Sequence, residues 1–252
     1  SNNNEQTHVN HVGCPAGEDK KRRLYIKRTD KALLAFCHHC GEKGFVKLGS
    51  DDRLMAWGKT ASAPAKAKEK IVLTEKLSTD GNIWLLKHGI TQRDKFYGVL
   101  GKNEQVAFDL EDPSGNVVGI QVRNLLPDAK PKYITQFYLE TSDVAWFNIA
   151  GCKTLVITED YLSAYRVHKD VGFSSMALLR TSLTDKTLMQ IYDLEFKYIW
   201  IWLDSDEAGM KGALKVSKTL RHFLPADVKI LTINSEKEPK QCSPKELEGM
   251  FI

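Results

Sequence analysis

Two groups of side chains in this 252-residue chain have the types and spacing to do chemistry. In "IWIWLDSDEAG", Ile199 to Gly209, Asp204 and Asp206 stand one residue apart after an unbroken apolar run, and a third acid, Glu159, follows the apolar "TLVIT". Carboxylates brought together repel and raise one another's pKa, a cost that a divalent cation removes. Oxygen ligands of this kind suit Mg²⁺ or Mn²⁺, ions that assist phosphoryl transfer. An Asp-x-Asp pair alone is a weak signal, because Asp206 could equally cap a helix starting near Glu207. The second group is His11-x-x-Cys14 followed by Cys37-x-x-Cys40. Four N and S ligands in two close pairs match a closed, structural zinc tetrahedron. His8 could replace His11, and His38 or His39 could join the set. The cysteine count of five, an odd number, favours metal over disulfides in a cytosolic chain, and leaves Cys152 and Cys242 as isolated packing or surface thiols.

These groups need elements to position them. Residues 1–50 lack long apolar runs, and "RRLYIKR" and "LLAFC" predict antiparallel strands between the two ligand pairs. So short a segment cannot bury enough core by itself, whereas zinc can supply ~10–16 kcal/mol of folding free energy. Residues 51–70, with "GKTASAPAKAKEK", read as a flexible linker. Residues 71–150 begin a globular pattern: "STDGNIWLLKHGI" predicts a short helix, and "VAFDLEDPSGNVVGIQVRN" two strands around a Pro-Ser-Gly-Asn turn. Over 151–252, strands at "TLVIT", "SMALL", "YIWIWL" and "VKILTI" alternate with helices at "DYLSAYRVHKD", "TDKTLMQIY", "EAGMKGALKVSKTLRHF" and "SPKELEGM". That alternation predicts a parallel α/β sheet, and ligands of such sheets gather at the carboxyl ends of the strands. Glu159, Asp204 and Asp206 fall at two such ends.

Composition excludes some classes. No apolar run approaches the ~20 residues of a membrane helix, and "SNNNEQTHVNHVG" lacks a signal-peptide pattern, so a cytoplasmic protein without a membrane partner is expected. A net charge of +4 says little about polyanions, but "KKRRLYIKR" and "PAKAKEK" concentrate the basic residues. "AWGKT" ends like a phosphate-binding loop, yet Arg53 stands where that loop needs its first glycine. "GCKT" at Gly151 fails in the same way, so no nucleotide-driven motor is expected.

"VITEDYLSA", "ALLRTSLT" and "WLDSDEAG" resemble the Toprim domain, and "GNVVGIQVRNLLPDAKPKYI" resembles the primase segment ahead of it. With the ribbon, the order is similar to DnaG-type and bacteriophage DNA primases over roughly His11 to Leu247. The resemblance implies an α+β and α/β multidomain fold. It comprises a zinc ribbon, a linker, the N-terminal subdomain of a primase core, and a Rossmann-like Toprim subdomain. It implies Glu159, Asp204, Asp206 and Lys132 as catalytic groups, with Glu238 joining the three acids as a magnesium ligand. Arg123, Lys130, Lys132 and Arg180 would contact NTP or template phosphates; Lys130 also reads as a solvated hairpin edge. Gln241 falls where a second acid is common, and Asp160 where many Toprim domains have glycine. The implied activity is synthesis of short RNA primers from NTPs on single-stranded DNA, alongside a replicative helicase and a DNA polymerase, in the host cytoplasm if the chain is phage-encoded. The rival readings are a metal-dependent Toprim nuclease and a non-catalytic zinc-ribbon module that binds nucleic acid.

Overall fold

The computed structural model describes residues 6–28, 32–47, 71–91, 95–139, 141–180 and 182–251. The linker expected over 51–70, with "AWGKT" and "PAKAKEK", lies outside the described residues. The described residues fall into two compact units.

The first unit is a four-stranded antiparallel sheet of β1 (Gln6–Val9), β2 (Leu24–Arg28), β3 (Ala32–Cys37) and β4 (Lys43–Lys47), in that order. The two strands expected between the ligand pairs are β2 and β3, with Leu24 opposite Cys37 and Tyr25 opposite Phe36. The sheet's own core is thin: among the described residues up to 47, Cys14, Leu34 and Cys37 are the buried apolar side chains. A buried carboxylate adds to it. Asp19 accepts the backbone N–H groups of His11, Lys21 and Arg23 and the Nε–H of Arg23, at 2.8–3.1 Å. Burial alone would raise its pKa, but the hydrogen bonds from His11 and Arg23 outweigh that and hold the carboxyl well below its usual range. Asp19 thus ties the loop carrying the first ligand pair to the start of β2.

The second unit contains two five-stranded sheets. One is antiparallel: β5 (Leu73–Thr74), β6 (Phe96–Val99), β7 (Lys102–Glu111), β8 (Val117–Asn124) and β9 (Tyr133–Phe137), in chain order, with α1 (Thr79–Lys87) between β5 and β6. Ser78 caps α1 by accepting the Gly81 N–H. The expected hairpin is β7–β8, where the Asp112 carboxylate accepts N–H groups from Ser114 and Asn116 and so fixes the turn.

The other sheet runs β10-β12-β11-β13-β14. Its parallel strands are β11 (Thr154–Thr158), β12 (Ser174–Ala177), β13 (Tyr198–Trp202) and β14 (Lys229–Thr232). The helices between and after them are α2 (Tyr161–Val171), α3 (Asp185–Asp193), α4 (Glu207–Phe223) and α5 (Pro244–Gly249). Thr184 caps α3, and Ser243 caps α5 with Pro244 following it. β12 ends before the expected "SMALL" does, because Leu179 turns into the left-handed region at φ 57°. The edge strand β10 (Ala145–Phe147) pairs antiparallel with β12 and was not expected; three residues carry no readable period.

α2 packs against both sheets, which explains why every residue from Tyr161 to Val167 is buried. Tyr161 and Tyr165 meet Phe96 on β6, and Tyr161 also meets Phe108 on β7, in edge-on and tilted contacts that add ~0.5–1.5 kcal/mol each beyond burial. On its other side Ser175 of β12 donates to the Ala164 carbonyl. Arg166, in the middle of this helix, is 4% exposed. Its Nε pairs with Asp170 at 2.5 Å, Nη1 donates to the His88 carbonyl at 2.7 Å, and Nη2 donates to the Cys242 carbonyl at 2.9 Å. Gly89 follows His88 with φ +70°, and a Cβ there would lie 2.6 Å from Arg166 Nη1, so both backbone and space require glycine.

Removing the guanidinium leaves Asp170 and two carbonyl groups without their partner. Arg166→Ala is therefore expected to cost about 3–5 kcal/mol in denaturant unfolding. A loss below about 1 kcal/mol would show that these contacts do not hold the unit together.

Candidate functional site

In the first unit, His11, Cys14, Cys37 and Cys40 offer one ligand atom each, all within 4.8 Å of one another. Cys14 Sγ lies 4.0 Å from Cys37 Sγ, and Cys40 Sγ lies 3.4 Å from His11 Nδ1. Two thiolates on one tetrahedral zinc would stand about 3.8 Å apart, so the donors fit that ion. His11 is the histidine in the cluster, whereas His8 stacks on Tyr25 at 4.0 Å. His38 is exposed and stands edge-on to Tyr25 and Phe36, while His39 Nδ1 lies 3.4 Å from Cys14 Sγ. The local turn favours thiolate at Cys37 but not at Cys40, which burial and the neighbouring thiols push up to about 11. Burial pushes the Cys37 thiol up, but the Cys40 and His39 amides point at its sulfur and bring its pKa below the ordinary thiol value.

In the second unit, the carboxyl end of the parallel sheet gathers the acids. Asp160, Asp204 and Glu238 place carboxylate oxygens within 4.8 Å of one another. Asp160 follows β11, Asp204 follows β13, and Glu238 precedes the short 3-10 turn Pro239–Gln241 that comes after β14. Oxygens this close, from three segments, are donors a divalent cation could bridge. Glu159 and Asp206 are not in this tight group; the charge of Glu159 acts on Asp204, and that of Asp206 acts on Glu159. Glu159 has a buried Oε2 with no hydrogen-bond partner, an unmet acceptor that a cation would satisfy. Burial raises the Glu159 pKa, and the charge of Asp206 adds to the rise. Burial, then Glu238 and Glu159, push the Asp204 carboxyl up to about 7.

Each acid is placed by a local device. Asp160 caps α2: its Oδ1 accepts the N–H groups of Leu162 and Ser163, and its Oδ2 accepts the Ser163 hydroxyl. Asp206 caps α4 through the Gly209 N–H at 2.7 Å, the alternative open from its spacing. A Cβ on Gly209 would lie 2.1 Å from the Asp204 carbonyl oxygen, so α4 starts in contact with the Asp204 main chain. The Glu238 turn is held from three directions. Gln241 Oε1 accepts the Glu238 N–H, Trp202 Nε1 donates to the Lys237 carbonyl, and Arg166 donates to the Cys242 carbonyl. Gln241 thus braces the backbone where a second acid was expected.

Two members of the site escaped the sequence reading. Asp160 shows in sequence only as an acid at a position where many Toprim domains have glycine. Lys240 shows only as part of "KEPKQCSPKEL", with no role of its own, yet its Nζ lies 3.2 Å from Asp160 Oδ2 and is also paired with Glu238 Oε2.

The basic residues are spread differently. Arg123 on β8 lies over the Tyr133 ring at 4.6 Å, and its buried Nε has no hydrogen-bond partner. Burial raises the Tyr133 pKa, the charges of Asp160 and Glu238 add to the rise, and those of Arg123 and Lys240 oppose it. Lys130 and Lys132 are exposed on the segment leading into β9, and the Lys132 carbonyl accepts the Asn124 N–H. Arg180 is engaged by Asp143: Nη2 donates to its carbonyl at 2.8 Å and lies 3.6 Å from its carboxylate.

No family model matches the chain. Among curated proteins it is similar to the DNA primase of Campylobacter jejuni, 29% identical over 152 residues, and to that of Deinococcus radiodurans, 29% identical over 130 residues. The alignments cover 56% and 48% of this chain but only 24% and 22% of those proteins, so the chain spans about a quarter of their length. Among solved structures, the primase fragment of the bacteriophage T7 primase-helicase protein matches at TM-score 0.48 and 17% identity, covering 97% of each chain. The zinc-binding and RNA polymerase domains of the Aquifex aeolicus primase match at TM-score 0.48 and 21% identity, covering 68% of this chain and 45% of that one.

The purified protein is expected to carry one equivalent of zinc. Cys37→Ser should lose it, and hydrogen exchange should then show β1–β4 unprotected; retained zinc with unchanged protection would refute the ligand set. At the acidic group, folding raises the Asp204 pKa from 3.8 to about 7. The folded state therefore binds that proton more tightly than the unfolded state, and Asp204's contribution to stability falls as pH rises through this window. Without metal, Asp204→Asn should raise the melting temperature at about pH 8 and change it little at about pH 4. Mg²⁺ should stabilise the wild type and not the variant. A variant melting below the wild type at the higher pH would contradict this reading.

Proposed function

We infer that the chain, which resembles DnaG-type primases in sequence, is a DNA primase that copies single-stranded DNA into short RNA primers from NTPs. The observation that carries this reading is the meeting of Asp160, Asp204 and Glu238 at one edge of a parallel sheet, in a chain that also has a four-donor N/S cluster. Phosphoryl transfer asks a protein chiefly for position and charge stabilisation. A divalent cation held by Asp204, Glu238 and Glu159 would help ionise a primer hydroxyl and offset charge on the departing pyrophosphate. Asp160 and Asp206 hold the two helix starts that flank it. Arg123, stacked on Tyr133 beside the acids, suits a phosphate of template or nucleotide. Exposed Lys130 and Lys132 suit longer-range attraction of the same backbone.

The proposed organisation is a zinc ribbon over 1–50, a linker over 51–70, an N-terminal core subdomain over 71–150 and a Toprim subdomain over 151–252. In it, the ribbon meets the template with the ring set of His8, Tyr25, His38 and Phe36, which stand 4.0–4.6 Å apart in succession. A cytoplasmic setting and work alongside a helicase and a DNA polymerase belong to the same proposal.

The test is direct. With Mg²⁺, labelled NTPs and mixed single-stranded templates, the chain should make short RNA, and Asp204→Ala should reduce product at least about a hundredfold. Template degradation without RNA would identify a nuclease instead, and salt-sensitive binding with neither activity would identify a binding module.

A further inference from the structure

We propose that Lys240 is a built-in cation of the acidic site, standing in for a second divalent ion, so that the site takes one divalent cation rather than two. This inference rests on the metal-site reading above and specifies its occupancy.

Lys240 Nζ lies 3.2 Å from Asp160 Oδ2 and is paired with Glu238 Oε2, so its ammonium sits between two of the three carboxylates that come within 4.8 Å of one another. It is not a loose surface lysine. Its side chain is 19% exposed, and those of its two partners are 20% and 22% exposed. The main chain at Lys240 is fixed as well. Gln241 accepts the Glu238 N–H, and Arg166 holds the Cys242 carbonyl two residues beyond Lys240. Asp160 cannot swing away from the ammonium without uncapping α2, because its Oδ1 is committed to the Leu162 and Ser163 N–H groups.

The charge is therefore distributed unevenly. The Asp160–Glu238 side already has a cation, delivered by the chain as a compact point charge with three donors. Asp204 forms no ion pair among the described residues, and Glu159 retains a buried Oε2 without a hydrogen-bond partner. A divalent ion is drawn to that side. A second one would have to displace a lysine held by two carboxylates or sit within a few ångströms of its positive charge.

Counting bound Mn²⁺ tests this without any turnover. The zinc-loaded full chain is titrated with Mn²⁺, free ion is followed by electron paramagnetic resonance, and Asp204→Asn identifies the ions that belong to this site. The wild type should bind one Mn²⁺ there. Lys240→Met should bind the first Mn²⁺ at least about tenfold more tightly, since the repelling charge is gone, and Lys240→Asp should bind two. Circular dichroism and melting curves establish that each variant is folded, and Lys240→Arg, which keeps the charge, should retain a stoichiometry of one. Two Mn²⁺ in the wild type would overturn the proposal while leaving the metal site intact, as would unchanged affinity and stoichiometry in both Lys240→Met and Lys240→Asp. No Mn²⁺ sensitive to Asp204→Asn would overturn the metal-site reading itself, and this proposal with it.

Discussion

Arg166 donates to the main-chain oxygens of His88 and Cys242 while its Nε pairs with Asp170, so one planar cation fixes the end of α1, the middle of α2 and the turn before α5. Burying a guanidinium is costly unless its donors are used, and here the Nε and both terminal nitrogens have acceptors. The consequence reaches the acidic edge. Glu238 and Lys240 sit on the turn that ends at Cys242, and Asp160 caps the helix in which Arg166 lies. The segment carrying the third carboxylate is thus held in place by a cation that itself touches none of the three acids in the tight group.

The two centres solve opposite electrostatic problems. In the ribbon, backbone amides around Cys37 favour its thiolate, and Asp19 holds the loop bearing His11 by accepting four N–H groups. Those donors compensate part of the negative charge before any ion arrives, while burial and the neighbouring thiols still push Cys40 up to about 11. At the parallel sheet the carboxylates raise one another's pKa and one lysine offsets them only in part. Stability is given up at that edge, as expected where a group is positioned for chemistry instead of for packing.

Much of this was legible in the sequence because the signals were local. The paired ligands at Cys37 and Cys40, the strand ending at Asp204, the helix Glu207–Phe223 and the hairpin through Ser114 and Gly115 each announce themselves within a dozen residues. What stayed hidden depends on tertiary meeting. Asp160 is indistinguishable in sequence from an ordinary helix cap, and it is one; its second role appears only when Glu238 arrives from about eighty residues away. Lys240 gives no sign of where its ammonium goes. β10 is too short for a period, and nothing in the sequence marks Asp19, because its four donors are main-chain and arginine N–H groups.

Gly209 carries a further implication. The start of α4 and the main chain of Asp204 are separated by less than a methyl group would need. A side-chain contact could be relieved by a change of rotamer, but a backbone contact cannot. The spacing between the helix and the acid is therefore set by the chain itself and is not free to drift by small substitutions. Variation can recolour the surroundings of this edge, trading one acid or base for another, but any change in bulk at position 209 must be matched by a shift of the whole helix. That makes the geometry of Asp204 far less free to evolve than its electrostatics.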